Sequence, residues 1–138
     1  MQNIQYDAPF EPVFIEALRQ LVEEKITFNH VIGLKLTGVS ANVLTGRIHM
    51  RPELVGHFSY NRLHGGVTSA ALDTLGGLAC MVNITMKHLD ETPEQRIARF
   101  LKIGTIDYVS TIWVQRLVNS LMYVLRLCVW GHASDSHK

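Results

Sequence analysis

Cysteine is scarce in this chain of 138 residues, which contains only Cys80 and Cys128. Their separation matches no metal-ligand spacing, and two thiols are too few for the disulfide framework of a small secreted protein. The histidines other than His64 also lack the spacing of metal ligands. We therefore predict no metal site, and we do not expect either cysteine to act as a nucleophile.

An excess of charge of one sign is also missing. The chain has 13 lysines and arginines against 12 aspartates and glutamates, which gives a net charge of +1. No basic stripe with interleaved aromatic residues is present, so the composition argues against nucleic acid as a partner.

Targeting and membrane signals are absent from the sequence pattern. The first residues lack the basic start and apolar run of a signal peptide, and no uncharged apolar stretch is long enough to cross a bilayer. These observations predict a cytoplasmic protein without a membrane span. A length of 138 residues and a hydrophobic content of 47% suit one domain, residues 1–138, that buries roughly two thirds of its unfolded surface.

Hydrophobic periodicity predicts an amphipathic helix over Glu11 to Lys25 that packs across an edge of the core. Its expected apolar stripe is Val13, Phe14, Ala17, Leu18, Leu21 and Val22, with Glu16, Arg19 and Glu23 on the opposite face. Residues 34–37 and 43–50 predict two strands joined by a turn at 40–42.

The next part of the chain is expected to be a loop over 52–63, which leads into a long helix over Gly66 to His88. A charged segment over residues 87–99, broken by Pro93, follows this helix.

The most informative segment is Asn61 to Asp73, in which a His64-Gly65-Gly66 turn begins a helix of small residues. Glycines let the backbone approach a ligand closely, and the first N–H groups of a helix, unpaired within it, point toward a developing oxyanion. Asp73 then offers a nearby base or nucleophile. Its neighbours one turn away are all small, which favours close approach by something bulky: Ser69, Ala70, Gly76 and Gly77.

A His-Gly-Gly triplet taken alone is more often an ordinary loop and helix start, with Asp73 solvated. Two further segments of the sequence favour a functional role for the triplet. With the loop over residues 50–54 and the segment over residues 104–107, this stretch resembles the hotdog-fold acyl-CoA thioesterases of the PaaI-like group, over roughly residues 28–107. The resemblance implies an α+β hotdog fold, in which a curved antiparallel sheet wraps a long central helix. It also implies a homodimer or dimer of dimers with each active site between two protomers.

The same resemblance implies roles for individual residues. Gly65 N–H would polarise the thioester carbonyl, and His64 would hold the turn or contact the ligand. The partner's Asp73 would activate water or attack directly, and Thr105 would orient the water. The expected substrate is a thioester of coenzyme A or of acyl carrier protein, and this chemistry needs no metal or redox cofactor.

The resemblance also implies a substrate contact for Asn61, which lies three residues before the turn, and the freedom of the glycine backbone predicts one for Gly66. Arg96 and Arg99 would receive coenzyme A phosphates, although a basic run of this kind is more often a solvated face.

Residues 108–138 depart from the family, whose members continue with an Arg-Val/Ile-Asp-Tyr-Leu-x-Pro strand, a glycine-rich turn and two more strands. Loss of one base after the Asp107 codon would explain this as a frameshifted tail, and the gene's nucleotide sequence would decide it. The alternative is a divergent natural end, with a strand pair over residues 109–118 and 121–130 or an aggregation-prone edge.

Two functions other than hydrolysis remain open from the sequence. The scaffold could be a non-catalytic regulator that binds acyl-CoA or fatty acid, or the chain could be an inactive product. Asp73 favours hydrolysis, because a pure binder has little need of an ionisable group in that helix.

Overall fold

The computed structural model describes residues 4–7, 9–41, 43–100 and 122–128. In these ranges a long helix lies against a mainly antiparallel sheet, with shorter helices around them. The helices and strands are β1 (Gln5–Tyr6), α1 (Pro12–Gln20), α2 (Thr27–Ile32), β2 (Lys35–Val39), β3 (Val43–His49), β4 (Val55–His57), β5 (Arg62–Leu63), α3 (Gly65–Met86), α4 (Pro93–Phe100) and β6 (Met122–Cys128).

The four described strands of the main sheet are ordered β1-β2-β3-β6. β1 pairs in parallel with β2, whereas β2–β3 and β3–β6 are antiparallel. The predicted strands and turn over residues 34–50 are therefore confirmed, and the turn is closed by a hydrogen bond from Ser40 N–H to the Val43 carbonyl. β6 confirms a strand within residues 121–130, while the predicted strand over residues 109–118 lies outside the described residues.

Helix α3 confirms the predicted long helix, and its inner face forms the core with the sheet. Side chains of α3 that are buried include Ala71, Leu75 and Leu78. Gly46 of β3 allows the close approach, because a Cβ atom there would meet Leu34 Cδ1 at 3.1 Å and Leu75 Cδ1 at 3.6 Å. Alternating burial along β3 places every second side chain in this core, as expected for a sheet with one covered face.

By length and composition alone, α3 would also be able to cross a bilayer. It has 22 residues, and its most apolar window has a mean hydropathy of 1.3. The central helix of a soluble protein meets the same two criteria, and the buried residues of α3 pack in the core.

The helix predicted over Glu11 to Lys25 is confirmed, but its last turn is a π-helix over Leu21–Lys25. Ile26 N–H donates to the Leu21 carbonyl five residues earlier, and this wider turn rotates the buried face. Glu23 lies within this turn and is buried. Placing Glu23 on the outer face was therefore wrong. Val13, at the start of α1, is a second exception to the prediction: it was placed on the apolar stripe but is 61% exposed.

The buried Glu23 carboxylate has three donors. Its Oε1 accepts the backbone N–H of Leu36 at 3.0 Å, and its Oε2 accepts Lys35 Nζ at 3.0 Å. Arg19 Nη1 lies 3.5 Å from the same Oε2. The carboxylate thus ties the π turn to β2, where it satisfies a strand amide.

The expectation of a plain loop over residues 52–63 was wrong. Residues Pro52–Leu54 form one turn of 3-10 helix, and β4 and β5 form a small hairpin around a second turn, Phe58–Tyr60. Both strands are two or three residues long, which is too short for a periodic hydrophobic pattern to be visible in the sequence.

Helix α4 begins at Pro93 instead of being broken by it, because proline suits the first turn of a helix. Thr92 and Gln95 exchange hydrogen bonds in a capping box, from Thr92 N–H to Gln95 Oε1 and from Gln95 N–H to Thr92 Oγ1. This arrangement carries Arg96 into the protein interior.

The Arg96 side chain is 0% exposed and connects α4 to the start of α1. Its Nη2 lies 2.7 Å from both carboxylate oxygens of Glu11, and its Cζ lies 4.8 Å from the centre of the Phe14 ring. The hydrogen bond from Arg96 lowers the pKa of Glu11. Burying a guanidinium requires this compensation, because an unpaired charge in the interior is costly.

Replacement Glu11→Gln is expected to destabilise the fold by about 2 kcal/mol at neutral pH, since it leaves the buried Arg96 charge without a counter-charge while Glu11 itself is half exposed. The folded-state pKa of Glu11 lies below the unfolded value, so the stabilisation is full above about pH 4.5 and is lost as the pH falls further. Urea unfolding at neutral and acidic pH measures this effect, and the difference between wild type and variant should shrink in acid.

The matched control is Glu16→Gln, which removes an exposed ion pair of the same helix with Arg19. We expect it to change the free energy of unfolding much less than Glu11→Gln does, because an exposed ion pair contributes little to stability. Equal losses in both variants would contradict a special role for the Glu11–Arg96 pair.

Candidate active site

The His64 turn is held in place by backbone hydrogen bonds on both sides. His64 N–H donates to the Leu54 carbonyl at 2.8 Å, and the His64 carbonyl accepts from Val67 N–H at 3.0 Å and Thr68 N–H at 3.3 Å. His64 is also the N-cap of α3: its Nδ1 accepts the Gly66 N–H at 2.9 Å. The turn is thus a fixed element at the start of the central helix.

This cap fixes the tautomer of a neutral His64. Because Nδ1 accepts a hydrogen bond, the proton lies on Nε2, which is left as a donor. The ring therefore holds the turn, one of the two roles predicted for it, and can present only a donor to a ligand. Gly66, predicted to bind substrate, has its N–H committed to His64.

Gly65 occupies the first position of α3, and it is exposed. A Cβ atom at this position would meet nothing within 4 Å, so open space lies beside the backbone. None of the hydrogen bonds among the described residues uses the Gly65 N–H. A backbone donor at the positive end of a 22-residue helix has the position from which an oxyanion can be stabilised.

The hairpin of β4 and β5 supports the turn from the other side, a contact that the sequence reasoning missed. A Cβ atom on Gly56 would lie only 2.5 Å from His64 Cα, so these backbones touch. Only glycine fits at this position, and the single signal in the sequence is the isolated glycine between Val55 and His57.

Asp73 lies on the side of α3 opposite the core-facing residues and is half-buried. Gly65 and Asp73 are eight residues apart, which corresponds to about 12 Å along a helix and a rotation of about 80°. One copy of the chain therefore does not bring the Gly65 N–H and the Asp73 carboxylate to the same carbonyl group.

A second unpredicted contact lies next to Asp73. Thr74 Oγ1 donates to Asn29 Oδ1 at 3.0 Å, which ties α2 to the turn of α3 that carries the carboxylate. Asn29 is 1% exposed, so the contact is internal. The six-residue helix α2 that supplies it was not predicted from the sequence.

The structure does not bring the other predicted site residues together. Asn61 is exposed and has a left-handed backbone conformation with φ of 47°, which asparagine adopts more readily than most residues, so it shapes the hairpin turn. Arg99 is exposed and paired with Glu91. Thr105 lies outside the described residues.

Burial of Arg96 does not fit the phosphate contact predicted for it. The guanidinium would have to leave Glu11 and the interior to reach an anion at the surface. The spacing of Arg96 and Arg99 suggested a cationic face, but α4 turns Arg96 inward. Within the described ranges, no group of three or more histidine, cysteine, aspartate or glutamate side chains is placed to hold a metal ion.

Comparison with known proteins identifies relatives of the chain. It is 31% identical over 80 residues to the medium/long-chain acyl-CoA thioesterase YigI of Salmonella typhimurium, covering 58% of this chain and 52% of that protein. The Escherichia coli K12 protein of the same name is 30% identical over the same length. The chain spans about half the length of these curated relatives. No protein-family model matches it.

Two solved structures share the fold. A Shewanella oneidensis protein related to the thioesterase superfamily is 32% identical with a TM-score of 0.59, over 71% of this chain and 66% of that one. A candidate thioesterase from Syntrophus aciditrophicus is 31% identical with a TM-score of 0.61, over 83% of this chain and 74% of that one. The long helix on an antiparallel sheet is therefore the predicted hotdog fold, and the chain belongs to the thioesterase superfamily.

Proposed function

We propose that this chain hydrolyses an acyl-CoA thioester to a free acid and a thiol. The observation that carries the proposal is the Gly65 N–H, which lies at the start of α3 next to the His64 cap, with open space where a Cβ atom of this residue would stand. Hydrolysis of a thioester passes through a tetrahedral oxyanion, and a fixed backbone donor stabilises that charge without reorganisation.

The carboxylate for the reaction comes from Asp73. As a general base, it takes a proton from water while the water oxygen attacks the thioester carbon. The tetrahedral intermediate then collapses, the carbon–sulfur bond breaks, and the thiolate leaves with the proton that Asp73 held. As a nucleophile, the carboxylate would displace the thiolate and form an anhydride, which water then cleaves.

Two copies of the chain build each site in this proposal. The separation of about 12 Å between Gly65 and Asp73 along one helix supports pairing of Gly65 from one protomer with the partner's Asp73. A two-fold symmetric dimer forms two such sites at once. The assembly is a homodimer or a dimer of dimers, as in the PaaI-like group.

We further propose a medium- or long-chain acyl group, by analogy with YigI, and a cytoplasmic location. Coenzyme A is preferred over acyl carrier protein as the thiol because the YigI proteins are named for acyl-CoA. Thr105 remains the residue proposed to orient the attacking water.

The test is release of free thiol from a panel of acyl-CoA esters of increasing chain length, followed with a thiol-reactive dye. Turnover that rises with chain length supports the proposal and defines the acyl preference. Absence of turnover by a correctly assembled protein, together with saturable binding of the same acyl-CoA, would favour the non-catalytic binding regulator instead.

A further inference from the structure

The hairpin next to the His64 turn exposes an aromatic and cationic cluster, which we call the aromatic hairpin (Val55–Leu63). Phe58 is 90% exposed and Tyr60 is 64% exposed. The His57 ring contacts both, with its centre 4.8 Å from that of Tyr60 and 5.9 Å from that of Phe58. These rings contribute nothing to the described core, and a cluster of exposed aromatic residues commonly marks a binding surface.

Arg62 adds a positive charge to the cluster. Its Cζ lies 5.0 Å from the centre of the Tyr60 ring, which orders the guanidinium at the surface. The nearby Arg51 is close to Glu53, at 3.9 Å, whereas no carboxylate among the described residues pairs with Arg62. An ordered guanidinium without a counter-charge is complementary to an anion, and its planar donors suit a phosphate.

The aromatic hairpin is rigidly connected to the proposed oxyanion donor. Pairing of Val55 with Leu63 and the contact of Gly56 with His64 fix its base against the turn. Gly65 follows Arg62 by three residues, a span of at most about 10 Å. A ligand whose carbonyl lies at Gly65 and which carries a flexible arm can therefore extend onto this surface.

We propose that the aromatic hairpin binds the adenosine-phosphate end of coenzyme A. Phe58 offers an open ring face on which adenine stacks, and Arg62, ordered over Tyr60, pairs with a phosphate group. Base–aromatic stacking and guanidinium–phosphate pairing are both established modes of nucleotide recognition. The choice of ligand rests on the proposed function, whose substrate is a coenzyme A thioester.

The direct test is binding of adenosine 3′,5′-bisphosphate to the full chain by calorimetry, because this probe has no thioester and requires no turnover. We expect Arg62→Gln and Phe58→Ala each to weaken binding by about tenfold. Arg51→Gln is the matched control: it removes an exposed cation just before the hairpin and should leave the affinity unchanged. Failure of the bisphosphate to bind, or equal binding by wild type and Arg62→Gln, would overturn the proposal.

A kinetic test separates this inference from the proposed function. For Arg62→Gln, KM for an acyl-CoA should rise about tenfold with kcat unchanged, while KM for the corresponding acyl-pantetheine, which lacks the nucleotide, should stay the same. If wild type hydrolyses both substrates and Arg62→Gln affects neither, the function stands and the inference fails. If neither substrate is hydrolysed but the bisphosphate binds through Arg62, the proposed hydrolysis fails and the binding site stands.

A second copy of the chain is the competing occupant of this surface. Sedimentation of Phe58→Ala tests this alternative. If the variant no longer assembles but binds the bisphosphate as wild type does, the hairpin is a contact between copies and the nucleotide site is refuted.

Discussion

Asp73→Asn is expected to reduce thiol release by a factor of about 10² to 10⁴ while the protein keeps its fold. The amide has nearly the same shape as the carboxylate, but it neither accepts a proton from water nor attacks as an anion. Because Asp73 lies on the side of α3 away from the core, the substitution should not disturb the packing of the helix on the sheet. Initial rates with the preferred acyl-CoA, compared at equal concentrations of folded protein, measure the effect.

Asp90→Asn is the matched control, since Asp90 is an exposed carboxylate just beyond α3. It should retain wild-type turnover. If Asp73→Asn keeps most of the activity instead, the carboxylate assignment is wrong and the base must lie elsewhere in the chain.

Gly65→Ala is expected to give a stable but inactive protein. Alanine has a higher helix propensity than glycine, and its Cβ atom meets nothing within 4 Å, so thermal stability should stay the same or rise slightly. The added methyl group occupies open space beside the backbone of residue 65, where the proposed thioester would have to lie close to the N–H. Turnover should fall by about 10²-fold, comparable to the loss of one oxyanion donor.

Gly56→Ala serves as the contrast, because we expect it to lower the stability of the protein, whereas Gly65→Ala should not. Its Cβ atom would lie 2.5 Å from the backbone of His64, and relief of that overlap requires the hairpin to move. We expect a loss of about 1–3 kcal/mol in stability, visible as a lower melting temperature. A Gly65→Ala protein that melts early, or that keeps full turnover, would contradict the assignment of Gly65 as the donor.

The two inactive variants also test whether the site is shared. In co-expressed Asp73→Asn and Gly65→Ala chains with different affinity tags, half of randomly formed dimers contain one chain of each kind. Each such dimer has one site with both groups intact, so about a quarter of the wild-type activity should return. If both groups act from one protomer, no site in a mixed dimer is intact, and no activity should return.

Elements with long periodic patterns were predictable from the sequence. The long helix was placed within two residues of α3, and the strand pair over residues 34–50 matches β2 and β3. The His64-Gly65-Gly66 turn was also identified, because glycine and a cap residue have strong local preferences. These features depend on residues that are close to them in the sequence.

Features that depend on distant contacts could not be predicted in this way. Glu23 resembles a surface residue of an amphipathic helix until the π turn rotates it toward Leu36. Arg96 belongs to a basic run in the sequence, yet its partner, Glu11, is 85 residues away. The functional value of Gly56 likewise comes from its contact with His64, which no local pattern reports.

The buried carboxylate of Glu23 affects whether strand β2 can pair with a strand of another molecule. β1 covers β2 over only two residue pairs, Gln5–Gly38 and Tyr6–Val39, and the amide of Leu36 lies beyond that cover. An uncovered strand amide invites pairing with a strand from another molecule. Because Glu23 accepts this N–H and adds a negative charge beside it, the donor is no longer available to an incoming strand, and the π turn protects the protein against edge-to-edge aggregation at this position.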